Sequence, residues 1–392
     1  MRNILLPIIL IMAGAQPASA QQATHPSANA ILQSILLNNT TLKADADAVL
    51  ASQAENRTGL TLADPEVEFS YFWGSPHAIG NRQDLSITQH FDYATVFGLK
   101  RRLAQSRNEV LALEQQLRRI RLVGEARQCL VQLTYLNQQQ QQLGERMAVA
   151  QSLVEKYQKA LQQGDATRLE RDKAQLALLN LQAESDELAI EQRKARGQLQ
   201  AMNGGNPIAY SATDYEAIFD AENDSATSTS QATTQWLDAQ GKAIEQEIKN
   251  AQAASLPELT FGYASELTAG EKFRGLTIGL SLPLWSNRAG VRSTRARQEA
   301  HRSEAEDVRF QFEQQRLALK DDMESHRKLA DRLKQTIAQN TTHALMKRAL
   351  DLGEISLLDY LQEASLLYDL QDKALQAERD YQQARCAWLL VK

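Results

Sequence analysis

Two long intervals without proline constrain the fold of this chain more than any other feature. No proline occurs between residues 76 and 207 or after residue 283, and both intervals are poor in glycine. Because proline breaks helix interiors, each interval can form an unusually long helix. Residues 100–163 and 290–352 would form helices of about 95 Å at about 1.5 Å per residue, which is too long for a compact globule.

A glycine followed by an acid interrupts the helical pattern once in each interval. These pairs are Gly164-Asp165 and Gly353-Glu354. Since glycine marks turns inside a helical pattern, the chain is expected to fold back at both pairs. The helices beyond the pairs are expected to be shorter, about 55 Å at the same rise, and to cover residues 166–202 and 355–391. The sequence therefore predicts two long helical hairpins.

The two halves of the chain resemble each other in sequence. PEVEFSY at 65–71 matches PELTFGY at 257–263 with a spacing of 192 residues, and DLSITQHFDY near 84 matches GLTIGLSLPL near 275 with a spacing of 191. The two Gly-acid pairs are 189 residues apart. Three matches in one order at nearly one spacing predict two tandem structural repeats.

The start of the chain has the pattern of a secretory leader. A basic start and an apolar run precede the small-residue site Ala18-Ser19-Ala20, so the mature chain is expected to begin near Gln21. Because no Cys follows that site, no lipid attachment is predicted there. The expected segments are a signal peptide 1–20, a first repeat 21–203, a linker 204–234 and a second repeat 235–392.

Four segments alternate between apolar and polar residues with a period of two. In the first, Val67, Phe69 and Tyr71 oppose Glu66 and Glu68. The segments predict two strand hairpins, whose strands of roughly ten residues have the length needed to cross a bilayer at a tilt; the hairpins cover about 65–94 and 257–285. A water-soluble sheet packed on helices explains these strands, taken alone, equally well.

Aromatic and basic residues flank the four segments. The aromatic residues cluster near the strand ends, as in the girdles of membrane barrels; they are Tyr71, Trp73, Tyr93, Tyr263 and Trp285. Just beyond lie the basic residues Lys100, Arg101, Arg102, Arg292, Arg295 and Arg297. These side chains are expected to contact lipid headgroups or, if the sheet is soluble, water.

Membrane insertion of this chain requires its strands. Beyond the leader, no run of about 18 apolar residues encodes a membrane-spanning helix. Four strands cannot close a barrel, and an open edge in lipid leaves backbone groups unsatisfied, so the edges must pair with other chains. The predicted fold class is a mixed α and β membrane protein. Each of three chains contributes four transmembrane strands to a trimeric 12-stranded β-barrel, which continues into a long periplasmic α-helical barrel.

Composition and motifs disfavour two other classes of function. The formal net charge of −5 argues against nucleic acid as a partner. The six histidines have no metal-ligand spacing, and neither a nucleophile elbow nor a phosphate-binding glycine loop occurs. The sequence therefore predicts neither an enzyme nor a bound cofactor, and His77 and His90 are expected to be solvated.

Cys129 and Cys386 are the two cysteines, which are too few for a disulfide scaffold. Each lies about 50 Å from its Gly-acid pair along a straight helix, so the two are expected to lie at one level. A disulfide and two buried thiols both remain open.

In its leader, two halves, paired strands and helical hairpins closed by Gly-acid pairs, the chain resembles the TolC family of outer-membrane efflux proteins. The resemblance covers essentially the whole mature chain. It implies a trimeric 12-stranded barrel in the outer membrane and a helical tunnel across the periplasm. It also implies a passive exit duct that a periplasmic adaptor joins to an inner-membrane pump. The compact linker is similar to that of the heavy-metal efflux branch.

The same resemblance assigns roles to residues at the two turns. It implies that the adaptor docks at the periplasmic tips, at Gly164, Asp165, Ala166, Gly353, Glu354 and Ile355. It places an inward aspartate of the channel constriction at Asp359, six residues after the second glycine. Glu170 is its weaker counterpart in the first half, and Gln362 stands where family members often carry a second acid.

A periplasmic adaptor or coiled-coil scaffold is the alternative function, because it also combines a helical hairpin with strands. Adaptors have one hairpin between two halves of a β domain, whereas two hairpins in tandem are predicted here. The sequence does not identify the exported compound, since a wide channel makes few specific contacts with what passes through it.

Overall fold

The computed structural model describes residues 27–91, 94–219, 228–268, 270–282, 288–339 and 342–392. The first half contains α1 (Ala28–Asn38), α2 (Thr40–Glu55), β1 (Glu66–Phe72), β2 (Arg82–Phe91), α3 (Ala94–Gln163) and α4 (Arg168–Met202). A short helix α5 (Glu216–Phe219) follows. The second half contains α6 (Thr229–Ala253), β3 (Glu258–Leu267), β4 (Lys272–Ser281), α7 (Arg288–Ala338), α8 (Thr342–Leu352) and α9 (Leu357–Val391).

The helix α3 is the central column of the molecule. It runs for 70 residues, or about 105 Å, and it packs against α4, α6 and α9. Because α3 contacts helices of both halves, it joins the two hairpins along their length. The predicted first hairpin is confirmed as α3 and α4.

The second hairpin differs from the prediction in one respect. Its long arm, expected as one helix over 290–352, is divided into α7 and α8. The helix α7 ends at Ala338 and Gln339 lies in a turn, while residues 340 and 341 lie outside the described part of the chain. Along its 51 residues α7 buries little of itself, since its buried residues are Ala305 and Ala330.

The helical segment at the start of the described chain is also divided. Asn39 ends α1 and begins α2, with a backbone of φ −57° and ψ 122° that is not helical. Its side-chain oxygen accepts a hydrogen bond from the backbone N–H of Leu42 at 2.9 Å. Because Asn satisfies the first N–H groups of a new helix this way, it favours a break here. Its amide nitrogen donates to the Met202 carbonyl at 2.8 Å and ties the break to α4.

The four predicted strands form one antiparallel sheet in the order β1-β2-β3-β4. Each hairpin pairs its own strands, and β2 pairs with β3 across the two halves, with His90 opposite Thr260. β1 and β4 are therefore the edges of the sheet. Tyr93 and Trp285, which are expected near strand ends, lie outside the described residues, as does the predicted signal peptide.

The main apolar core lies halfway along the helices. Leu130, Leu133 and Leu136 of α3 are fully buried there, against Ile35 of α1 and Leu199 of α4. Both cysteines belong to this region, as predicted from their levels: Cys386 is buried in it and Cys129 packs against it. Both are free thiols. Burial raises the pKa of Cys386 to about 12.

The segment between the halves wraps around this core. The Tyr210 hydroxyl lies 3.0 Å from Thr134 Oγ1 in the buried interior. Asn137 and Gln138 of α3 donate to the carbonyls of Ala212 and Thr213 at 3.0 and 2.7 Å. Of the predicted linker 204–234, residues 204–219 form a packed loop with the short helix α5, and residues 220–227 lie outside the described part of the chain. The expectation of a loop as far as residue 234 is wrong. Ser228 caps α6, which begins at Thr229.

We expect Thr134→Val to destabilise the protein more than Tyr210→Phe. The Thr134 hydroxyl donates to the Leu130 carbonyl at 3.0 Å, so it accepts from Tyr210. Removing the acceptor leaves a buried tyrosine hydroxyl unpaired, which costs about 1–3 kcal/mol, whereas Tyr210→Phe leaves Thr134 satisfied and costs about 1 kcal/mol or less. Thermal unfolding of the two variants measures the difference, and equal losses would contradict this account.

Candidate functional site

The sheet has one apolar and one polar face. The strand register places Val67, Ile87, Tyr263 and Leu276 in one row across all four strands. Phe261 pairs with Ile278 and Leu259 with Leu280 on the same face. The opposite face carries mainly polar and small residues, among them Glu66, Glu68, Asp84, Ser86, Thr88, Thr260, Gly262, Thr277 and Gly279. The predicted alternation is therefore a property of the folded sheet.

The apolar face is exposed in the single chain. Leu276 is 86% exposed and Ile278 is 72% exposed, and Phe69 on the other edge strand is 64% exposed. Monomeric soluble proteins rarely expose contiguous apolar patches of this kind, so the face is expected to contact lipid or another protein. Strands of ten residues span about 33 Å, which matches a bilayer once the strands tilt.

The first helical turn follows from its Gly-acid pair. Gly164 has a φ of +84°, a conformation that glycine adopts without steric cost. The Asp165 N–H donates to the Ala160 carbonyl at 2.8 Å and the Gly164 N–H to the Leu161 carbonyl at 3.3 Å. This pair of bonds is the Schellman motif, which satisfies the last carbonyls of α3. Ala166 then leads to Thr167, the N-cap of α4.

The second turn has the same construction. Gly353 has a φ of +76°, the Glu354 N–H donates to the Ala349 carbonyl at 2.9 Å, and the Gly353 N–H donates to the Leu350 carbonyl at 3.3 Å. Ile355 then leads to Ser356, the N-cap of α9. The glycine and acid of both predicted turns therefore close a helix end, and they are exposed at the tips of the two hairpins.

The two acids assigned to a constriction sit in capping boxes. Glu170 accepts hydrogen bonds from the Thr167 N–H and hydroxyl, both at 2.7 Å. Asp359 accepts them from the Ser356 hydroxyl at 2.6 Å and N–H at 3.3 Å. The bonds from Thr167 hold the pKa of Glu170 below its ordinary value of 4.5. Both carboxylates thus have a local role in starting their helices, and their role in a constriction stays a prediction.

Sequence reasoning missed Thr167 and Ser356. Each lies three residues before its acid, and a Ser or Thr followed three residues later by an acid is the signature of a capping box. The two turns read GDATRLE and GEISLLD, so the signal was present in both. Exposed leucines accompany the caps: Leu169 after the first turn is 63% exposed, and Leu358 after the second is 44% exposed.

The two hairpins are joined to each other near these tips. Leu153 of α3 and Leu350, Leu357 and Tyr360 of the second hairpin share a buried cluster. Closer to the end, the ammonium of Lys156 lies 3.0 Å from an Asp351 carboxylate oxygen. The tips are thus held by apolar packing and by one exposed ion pair, which contributes little by itself.

A partly buried ion pair lies further up the same interface, with the Asp372 side chain 36% exposed. Arg146 of α3 has a side chain that is 7% exposed, and it donates to both carboxylate oxygens of Asp372 in α9, at 2.7 and 2.9 Å. Its guanidinium also stacks 4.5 Å from the ring centre of Tyr368. A cleft of about 290 Å³ opens beside it, where burial, helped by the charge of Asp372, raises the pKa of Glu184.

Among the residues that the structure describes, no three His, Cys, Asp or Glu side chains lie close enough together to hold a metal ion. No helix of the described part of the chain is long and apolar enough to cross a membrane. His90 lies on the polar face of the sheet, where its Nε2 is 3.7 Å from a carboxylate oxygen of Glu66.

Comparison with solved structures identifies proteins of the same fold. A membrane protein from Pseudomonas aeruginosa superposes with a TM-score of 0.72 at 14% identity, over 97% of this chain and 99% of that one. The outer membrane protein VceC from Vibrio cholerae gives 0.71 at 14% identity, over 93% and 95%. CusC, which forms a transmembrane channel, gives 0.71 at 14% identity, over 99% of each chain.

Comparison by sequence finds no relative. No protein-family model matches the chain, and no curated protein matches it. At 14% identity the structural likeness establishes the fold: four antiparallel strands and long helical hairpins, arranged as in TolC-like outer-membrane channels.

We expect the cap at Thr167 to stabilise α4 in a pH-dependent way. Because the folded pKa of Glu170 is lowered, its stabilising contribution is present above the ordinary pKa and is lost as the pH falls through the folded pKa. Thr167→Ala should weaken the first turn by about 1 kcal/mol at neutral pH and reduce this acid dependence, while the backbone N–H of residue 167 still donates to Glu170. Amide hydrogen exchange around Glu170 at neutral and acidic pH measures both effects, and Thr167→Ser serves as the control that keeps the cap.

We expect Asp372→Ala to destabilise the interface by about 2 kcal/mol or more, because it leaves the buried Arg146 cation without its carboxylate. A second change, Arg146→Met, should recover part of the loss, since it removes the unpaired charge. Thermal unfolding of the single and double variants tests the pair. An unchanged stability of Asp372→Ala would show that the charge is solvated through the neighbouring cleft.

Proposed function

We propose that this chain is the outer-membrane channel of a tripartite efflux system, a passive duct across the outer membrane and periplasm. The observation that carries the proposal is the exposed apolar face of a sheet whose two edges are open. Full-length likeness to proteins described as outer-membrane channels supports it. An adaptor or scaffold function lacks such support, because this chain has two helical hairpins beside its one sheet, whereas an adaptor has one hairpin.

The active assembly is a homotrimer. In lipid, the edge strands β1 and β4 must find partners, and pairing β4 of one chain with β1 of the next closes a barrel of 12 strands after three chains. The helix α7 supports the same assembly, since Phe310 and Leu317 on it are 63% and 57% exposed. A neighbouring chain that covers α7 would extend the barrel into a helical tube across the periplasm.

Two structural repeats build each chain of the trimer. We assign the mature chain to a first repeat 21–203 and a second repeat 235–392, with the segment 204–234 between them and the signal peptide 1–20 removed. The duplicated turns support this division, because both combine a Schellman motif with a capping box.

The tips of the hairpins receive a periplasmic adaptor. Both turns present an exposed glycine and acid, followed by a half-buried residue, Ala166 or Ile355. Leu169 and Leu358 are exposed beside them and offer apolar contacts to a partner. Since the channel itself holds no energy source, the adaptor links it to an inner-membrane pump.

Asp359 and Glu170 form the constriction at this end of the tunnel. A ring of carboxylates on a threefold axis attracts cations, and mutual repulsion makes its closure sensitive to charge. The capping bonds support this role, because they fix the two carboxylates at the mouth. We assign no catalytic activity, and the cargo is a small molecule or a metal ion that the pump selects.

The function is tested most directly by a charge on the apolar face of the sheet. Leu276→Arg places a cation at the middle of β4, which costs about 2–4 kcal/mol at the centre of a bilayer. We expect this variant to insert poorly into outer membranes or vesicles. Thr277→Arg is the matched control, since the neighbouring side chain lies on the polar face and should be tolerated. If the sheet is soluble, both variants will behave alike, because Leu276 is already 86% exposed.

The constriction is tested in planar bilayers. Asp359→Asn removes the charge but keeps an oxygen that accepts the capping bonds, so we expect higher single-channel conductance or weaker block by divalent cations. Ser356→Ala is the control that removes the cap and keeps the charge. Identical traces for Asp359→Asn and the unmodified protein would exclude an electrostatic role for this residue.

A further inference from the structure

We propose that the starts of α3 and α7 form a basic collar that binds anionic phospholipid headgroups in the leaflet next to the helices. The collar consists of Lys100, Arg101, Arg102, Arg288, Arg292 and Arg295. The inference rests on the proposed insertion of the sheet and adds a lipid class to it. Such binding would fix the depth of the barrel in the membrane.

Positive charge is concentrated at this level of the molecule. Residues 94–108 and 288–298 together hold eight Lys and Arg and no Asp or Glu, although the whole chain has 43 basic and 48 acidic residues. The first acids along the two helices are Glu109 and Glu299. The positive ends of the helix dipoles of α3 and α7 point the same way and add to the field.

The arginines nearest the sheet carry unneutralised charge. Arg101, Arg102, Arg292 and Arg295 are exposed, and no carboxylate among the described residues forms an ion pair with them. The arginines just below differ in this respect, since Arg107 and Arg297 both bind Glu247, at 2.7 and 3.1 Å. The arginines without an ion pair therefore lie nearer to the sheet than the two arginines that bind Glu247.

Geometry brings these charges to the depth of the headgroups. The helix α3 begins three residues after β2 ends, so Lys100–Arg102 lie about 9–12 Å along it at about 1.5 Å per residue. Arg288, Arg292 and Arg295 share one face of the first two turns of α7, at spacings i, i+4 and i+7. Helical side chains lean toward the N-terminus, here toward the sheet, and a long arginine stem can extend its head to the lipid phosphates.

Two acids at this end of the sheet do not form ion pairs with these four arginines, Arg101, Arg102, Arg292 and Arg295. Glu66 and Glu258 lie near this end of the sheet, but on its polar face, opposite Leu259 and the other apolar residues. An anionic phospholipid fits both features, because its acyl chains can contact the apolar face of the sheet while its phosphate contacts the cationic surface next to that face. Clusters of Lys and Arg beside a membrane-inserted segment attract anionic lipid in this way.

The test measures lipid selectivity of the inserted protein. The full chain is reconstituted into phosphatidylcholine vesicles that contain a trace of spin-labelled phosphatidylglycerol or spin-labelled phosphatidylcholine. The motionally restricted part of the spectrum reports lipid at the protein surface. We expect phosphatidylglycerol to be enriched there about twofold or more over phosphatidylcholine, and the enrichment to fall at high salt, which screens surface charge.

Two variants assign the enrichment to the collar. The collar variant replaces four arginines by glutamine: Arg101, Arg102, Arg292 and Arg295. The control variant makes the same four changes at exposed positions further from the sheet on α3 and α4: Arg119, Arg121, Arg193 and Arg196. The collar variant should bind both lipids equally, whereas the control should keep the enrichment.

The possible outcomes separate this inference from the proposed function. Restricted lipid without preference for phosphatidylglycerol in the unmodified protein would leave the channel intact and overturn the collar. Enrichment that persists in the collar variant would overturn it as well. A complete lack of restricted lipid would mean that the sheet does not enter the bilayer, and the proposed function would fail first.

Discussion

Backbone hydrogen bonding at the edges of the sheet is the constraint on which the rest of the structure depends. Within the chain, β2 and β3 have partners on both sides, while β1 and β4 have one each. Water can satisfy the outer N–H and C=O groups of a soluble sheet, but lipid cannot. In lipid, a sheet with an apolar exposed face and two open edges therefore needs further strands to pair with both edges. Its partner is most simply another copy of the same sheet.

The helices are incomplete in the same sense. The long α3 is packed by helices of both halves, whereas α7 buries Ala305 and Ala330 over its whole length and leaves Phe310 and Leu317 exposed. Most helical stability in proteins comes from packing an amphipathic face; α7 packs against α6 and α9 but leaves these two apolar side chains uncovered. The edge strand β4 and the helix α7 that follows it thus both present surface that one neighbouring chain can cover.

Much of this fold could be predicted from local sequence, and the exceptions have physical causes. Period-two alternation predicted the four strands, because a sheet with one apolar face requires it. The absence of proline predicted the two hairpins, because proline breaks helix interiors. The break at Asn39 was missed, since one capping residue inside an apolar stretch is a weak signal. The pairing of β2 with β3 joins segments about 170 residues apart, and no local pattern records a contact of that range. For the site, the sequence predicted the two turns. Thr167 and Ser356 were missed, although each lies three residues before an acid, as in a capping box.

The capping boxes change how the constriction should be interpreted. An acid that is fixed by its own helix start cannot move toward the axis without giving up two hydrogen bonds, which Asp359 receives from Ser356. Its carboxylate is therefore held to the first turn of α9, and opening of the proposed constriction would displace the whole tip. That displacement is opposed by the buried cluster around Leu357 and Tyr360 and by the ion pair of Arg146 with Asp372. In the proposed constriction, the charge at the mouth would determine which ions approach, whereas the packing between the two hairpins would determine how readily the mouth changes shape.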